Sequence, residues 1–140
     1  MLASFSFLAP LALLETLMLT PVAYGLAIVL ALFCVLIGVR FLTAPQAAAT
    51  GYGVPAKADG DGAYLTIKGL RDLTFGVLGL ALIAFADADA AAWYMLVVAI
   101  APLGDTLIVL RHGGTKAVAF GIHFATAVAV LVSAALLFAI

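Results

Sequence analysis

The sequence predicts an all-α integral membrane protein, a four-helix bundle preceded by an N-terminal interfacial segment. Composition is the first reason. Hydrophobic residues make up 67% of the 140-residue chain and charged residues 9%, whereas a soluble domain is about half apolar and about a quarter charged. A soluble fold of this size leaves too much surface wet to hide that excess. Pattern is the second. The apolar residues gather in four runs, each near the roughly 20 residues that cross a hydrocarbon core of about 30 Å. Backbone hydrogen bonds in lipid must close within the segment, so unbroken runs of this length read as helices. Barrel strands would be shorter and would alternate apolar with polar residues.

The first run, Pro21–Val39, is closed by Arg40 and extends back through Leu11–Leu19 past Glu15. The others are Leu70–Ala86, Ala90–Leu110 and Ala117–Ile140. The expected spans are 17–40, 69–86, 91–111 and 117–139, in a single transmembrane domain. Residues 1–16 would make the first helix too long for one crossing at about 1.5 Å per residue. Pro10 and Glu15 break them as a separate span, so they are expected to lie along the membrane surface. They also lack a basic leader, so no secretory signal is expected. The stretch Thr43–Ile67 reads as one long loop, with Pro45, Pro55, Gly51, Gly53 and the run Asp59-Gly60-Asp61-Gly62. That run lacks the further spaced oxygens and closing glutamate of a calcium loop. The connections Asp87–Asp89 and His112–Lys116 are short, which makes the last three helices antiparallel neighbours.

With four crossings, all six basic residues fall on one side: Arg40, Lys57, Lys68, Arg71, Arg111 and Lys116. Glu15, Asp87 and Asp89 fall on the other. The positive-inside rule then puts the 43–67 loop in the cytoplasm and both termini outside, in a multi-pass protein of the cell (inner) membrane. Trp93 and Tyr94 open the third span at the outer face, where amphipathic rings gather. A net charge of −1 offers no footprint for nucleic acid. The single cysteine, Cys34, cannot form an intramolecular disulfide and reads as a small packing residue.

Polar residues inside spans carry the functional signal, because lipid makes them costly unless they face the bundle interior. Asp105 lies six residues before Arg111, about 9 Å inside the cytoplasmic end of its helix. His123 lies at a comparable depth in the last span. Arg71 and Asp72 sit in the first turn of the second span, where Asp72 favours the helix dipole and pairs with Lys68 four residues back. Pro102 removes a backbone donor just before Gly104-Asp105. On the second span Asp72, Gly76 and Gly79 share a face that permits close helix approach. The expected site is one polar cluster of Arg71, Asp72, Asp105 and His123, with Lys68, Tyr52 and Tyr64 as further ligand-binding residues. Tyr52–Pro55 is expected to fold back over the bundle mouth. Asp105 and His123 are the catalytic candidates if there is catalysis. Each also has a structural reading, Asp105 as interhelical glue and His123 as a hydrogen-bonded interior histidine. His112 reads as a solvated loop residue. No zinc spacing, nucleophilic triad, phosphate loop or dinucleotide fingerprint is present, so no metal or cofactor is expected.

Pro45-Gln46-Ala47-Ala48, Tyr52-Gly53-Val54-Pro55, Tyr64 and Lys68-Gly69-Leu70-Arg71-Asp72-Leu73 together resemble a family of small bacterial and fungal integral membrane proteins of unknown function. Pro102-Leu103-Gly104-Asp105 and Arg111-His112-Gly113-Gly114 are similar to the same family, over roughly residues 38–128. The family in turn resembles the DoxX-like four-helix membrane proteins, some of which are linked to quinone or thiosulfate redox systems. The resemblance implies the fold and marks residues without supplying an activity.

Three functions compete. The first is a non-enzymatic protein that binds a small lipophilic or anionic ligand, or a partner subunit, in the cytoplasmic half of the bundle. Lys68 and Arg71 would meet an anion, and Asp105 and His123 would orient it. The second is a membrane enzyme, isomerase- or cyclase-like, with Asp105 or His123 as the acid–base group. The third is a proton-coupled transporter, for which so short a chain would need to dimerise. The expected partners are the bilayer, a small lipophilic ligand, and a second copy or another membrane subunit.

Overall fold

A computed structural model of the chain describes residues 5–54, 56–57 and 60–140, with side chains described from Leu17 onward. All the regular structure among them is helical. The elements are α1 (Phe5–Thr43), α2 (Pro45–Tyr52), α3 (Gly62–Phe85), α4 (Ala88–Val98), α5 (Ile100–Arg111), α6 (Lys116–Val118), a π-helix (Ala119–Phe124) and α7 (Ala125–Phe138). Three stretches are long and apolar enough to cross a membrane: Leu17–Thr43, Ala88–Arg111 and Lys116–Phe138. Helix α3 has 24 residues but carries Lys68, Arg71 and Asp72 in its N-terminal half. Leu17, Val29, Leu36, Val97 and Ile100 are each more than half exposed. A chain that turns such residues outward on every face is built for an apolar solvent.

Helix α1 runs unbroken from Phe5, through Pro10 and Glu15, to Thr43. The surface-lying segment expected at residues 1–16 falls outside the described residues in its first four positions and in all its side chains. Helix α1 pairs with α3, and α4 with α7. Glycine makes the first pairing close. A Cβ on Gly38 would stand 2.4 Å from the Leu73 backbone nitrogen, and one on Gly76 would stand 2.6 Å from that of Val35. The half of the molecule away from the basic residues is closed by small residues, with Ala23, Ala27, Ala91, Ala92, Ala99 and Ala134 buried around Met95 and Leu137. Small side chains let helices pack backbone to backbone where lipid provides no hydrophobic drive.

The region expected to be a loop holds more structure than its composition suggests. Pro45 begins α2, where its missing N–H costs nothing and its fixed φ suits a first turn. Ala47, Ala48 and Ala49 propagate the helix. Gly53 ends it at φ +91°, a left-handed conformation that favours glycine. Helix α3 then starts at Gly62, seven residues before the expected span. Phe41, Ala48 and Ala49 form a second small core under α2, flanked by Ile37, Tyr52 and Leu65. The α2 terminus also docks against the turn after α5. A Cβ on Gly53 would stand 2.6 Å from Val118, and one on Gly114 would stand 2.6 Å from the Gly53 carbonyl oxygen.

The third span breaks where Pro102 predicts. Helix α4 ends at Val98, whose carbonyl would have received the N–H that Pro102 lacks. The N-terminus of α4 is capped by Asp87, which accepts from the Ala90 N–H at 2.8 Å. Trp93 is exposed, with its ring edge-on to Phe138 at 5.3 Å. Tyr94 is not its partner in an outer aromatic belt. One residue on, and so about 100° around the helix, it turns inward beside Gly79 and donates its hydroxyl to the Phe75 carbonyl.

Candidate functional site

Helices α1 and α3 separate from α5 and the π-helix in the half of the molecule that carries the basic residues. Between them lies a cavity of about 330 Å³. Most of its wall is apolar, and its polar groups converge on Tyr52. The Tyr52 hydroxyl donates to the Asp105 carboxylate. His123 Nε2 meets the Tyr52 backbone carbonyl at 2.9 Å. A carbonyl only accepts, so Nε2 carries the proton in this contact. The two rings are in edge contact, with centroids 4.4 Å apart. Tyr52 is therefore held at both ends, by its hydroxyl on α5 and by its carbonyl on the π-helix. Burial and the Asp105 carboxylate push its phenol well above the ordinary tyrosine range, so it remains a donor.

Helix α3 supplies the opposite wall. Lys68 and Asp72, one turn apart, form an ion pair at 2.5 Å. The Lys68 ammonium also stands 4.2 Å from the centroid of the Tyr52 ring and 4.8 Å from that of Phe41. This is a cation–π arrangement that spreads its charge over two aromatic faces. The Cys34 thiol donates to the Asp72 carbonyl at 3.1 Å and lines the cavity. Tyr94 and Met95 close the end away from the basic residues, and Pro102 lies beside Asp105 in the wall.

Five of the expected site residues meet at this cavity: Tyr52, Lys68, Asp72, Asp105 and His123. His123 is only 3% exposed. Its helix widens into π geometry over Ala119–Phe124, a feature often found where a side chain must be aimed at a site. Arg71 and Tyr64 do not join them. Arg71 follows Lys68 by three residues and precedes Asp72 by one, so it stands about 100° round the helix from Asp72, and it is exposed. Tyr64 lies a turn before Lys68, beyond the cavity mouth, and is 74% exposed. The arginine–aspartate cluster expected across the bundle is replaced by a lysine–aspartate pair within α3 and a tyrosine that bridges α5 and the π-helix. The segment around Tyr52 does fold over the mouth, although Pro55 lies outside the described residues. Phe41, Tyr94 and Cys34 were not legible as site residues. Cys34 and Tyr94 lie within apolar runs with no polar neighbour in sequence, and Phe41 follows the arginine that closes the first run; only packing brings the three to the cavity. His112 is exposed in its turn, and its ring meets the Ile108 carbonyl. No group of three or more histidine, cysteine or acidic side chains able to hold a metal occurs among the described residues.

Residues 31–137 match a protein family described as Domain of unknown function (DUF4267). The chain belongs to this family. The matched stretch takes in every residue of the cavity wall except Leu30. No curated protein and no solved structure matches the chain.

Proposed function

We propose that this member of the family is a four-crossing protein of the inner membrane that holds a small lipophilic ligand in the cavity beneath α2. The observation that carries the reading is the cavity itself, mainly apolar, with a few polar groups converging on one residue. That is the usual chemistry of a small-molecule site. Its rim supports delivery from the bilayer. Phe33 and Leu36 of α1, Phe75 of α3 and Ile122 of the π-helix line it and are also exposed, so the opening faces apolar solvent. Helix α3 serves as the fourth crossing in this reading. Its charged end sits at the basic face and its remaining turns are apolar. The basic end lies in the cytoplasm and the termini outside. The lipophilic branch is preferred over the anionic one because Lys68 is already neutralised by Asp72 and Arg71 points away.

Native mass spectrometry of protein released from lipid nanodiscs tests this. A small adduct is expected on the wild type and weakened or lost on Val98→Trp, which adds bulk to a residue of the cavity wall. An adduct of the same mass and occupancy on both would remove the reading. The contact between a phenol and a carboxylate at the cavity wall supports a second one, acid–base chemistry on the ligand. Asp105→Asn would then abolish turnover while leaving the adduct in place.

A further inference from the structure

We infer that the ligand of this cavity is a neutral lipophilic alcohol or phenol, held through the hydrogen of its hydroxyl group. The inference rests on the cavity being a ligand site and follows from the state of its polar atoms. Nearly every side-chain donor that lines it is already used. The Tyr52 hydroxyl gives its hydrogen to Asp105, and the Tyr94 hydroxyl to the Phe75 carbonyl. The Cys34 thiol points to the Asp72 carbonyl and the Thr126 hydroxyl to the Ile122 carbonyl. His123 uses its Nε2 hydrogen on the Tyr52 carbonyl, and Lys68 is paired with Asp72 and laid over two rings. The remaining donor, Arg40, is exposed at the rim, where water and headgroups serve it.

Acceptors are left over. Asp105 uses one carboxylate oxygen on Tyr52 and has a second. In the tautomer that carries its hydrogen on Nε2, the His123 ring has Nδ1 as an acceptor. A ligand with only acceptors would leave these atoms unpaired in an apolar cavity, which is costly. A ligand with a hydroxyl hydrogen satisfies one of them. Charge selects against ions. With Arg40 at the rim included, Arg40 and Lys68 balance Asp72 and Asp105, so the lining carries no net formal charge. An apolar body with one neutral donor is what remains.

Matched probes separate the cases. The full chain in lipid nanodiscs is dialysed to equilibrium against 2-naphthol, 2-methoxynaphthalene, 2-naphthoate and 2-naphthylmethylammonium, and retention is corrected with empty nanodiscs. 2-Naphthol is expected to bind roughly tenfold or more tightly than its methyl ether, the advantage a hydrogen bond to a charged acceptor confers. Asp105→Val should erase that advantage. Because it also undocks Tyr52 it could fail to fold, so Tyr52→Phe is the second variant. It frees the other Asp105 oxygen and should raise the naphthol preference, a change of sign that misfolding does not produce. Equal retention of naphthol and its ether, or preference for either ion, overturns the inference and leaves the cavity a general lipophile site. No retention of any probe above empty nanodiscs, with Val98→Trp indistinguishable from wild type, removes the ligand site and the inference together.

Discussion

Replacing Gly76 by alanine tests the packing that positions the Lys68–Asp72 wall. The added Cβ would stand 2.6 Å from the Val35 backbone nitrogen and 2.7 Å from the Ala31 carbonyl oxygen. Ordinary contact needs about 3.5 Å or more. Both obstacles are backbone, so no side-chain rotamer relieves them, and α3 must move away from α1 by most of an ångström. Overpacking of this kind costs about 1–3 kcal/mol. Helix propensity works in the other direction, since alanine in a helix interior is favoured over glycine by about 1 kcal/mol. The net expectation is a loss of up to about 2 kcal/mol. Gly25→Ala is the control. Gly25 lies within α1, and its Cβ would meet nothing within 4 Å. Propensity alone then applies, and the variant should be as stable as wild type or slightly more so. Equilibrium unfolding in mixed micelles, followed by circular dichroism, measures both. If Gly76→Ala and Gly25→Ala shift the midpoint equally, α1 and α3 do not touch backbone to backbone as described, and the placement of Lys68 and Asp72 fails with that contact.

Other outcomes follow from the same geometry. Ser133 is fully buried and its hydroxyl has no partner among the described residues, so Ser133→Ala should be neutral or stabilising by up to about 1 kcal/mol in the same unfolding assay. Limited proteolysis should cut slowly between Gly51 and Pro55, where α2 is docked, and faster near Asp59–Gly62; equal rates would refute docking. In intact cells a cysteine introduced at Asp89 should react with an impermeant maleimide and one at Asp61 should not, and the reverse result would invert the proposed orientation.

The helical fold was legible because it follows from solvent. Apolar runs of crossing length leave the backbone no alternative in lipid, and Pro102 marks the break between α4 and α5 without any tertiary information. Helix α2 was not legible. Its glycines and flanking prolines read as loop chemistry, yet Pro45 and Gly53 are a helix start and a helix stop, and the alanines between them are strong helix formers. Composition counted the punctuation and missed its order. Tyr94 shows a different limit. Its aromatic character at a span end fits an interfacial belt as well as a cavity wall, and only its angle on α4, opposite the gap left by Gly79, separates the two.

The site illustrates how far polar residues in apolar runs can be read. Depth along a helix comes from counting residues, and the depths assigned to Asp105 and His123 bring both to one cavity. Angle around a helix comes from packing, and there the sequence was ambiguous. Lys68, Arg71 and Asp72 all lie within two turns, and the arginine is the better partner for a carboxylate on chemical grounds. The face of α3 that meets α1 is fixed instead by Gly69, Gly76 and Gly79, which are all buried. Asp72, partway between them on the helical wheel, must follow that face inward, and Arg71 must leave it. Asp105 then faces a cavity with no arginine from α3 to meet it, and Tyr52 fills the position. The consequence is chemical. An arginine would have supplied the cavity with donors and a positive charge. The tyrosine supplies one hydrogen, already given to Asp105, and leaves the wall rich in acceptors and balanced in charge. The selectivity inferred for the cavity thus traces back to which side of α3 carries the glycines.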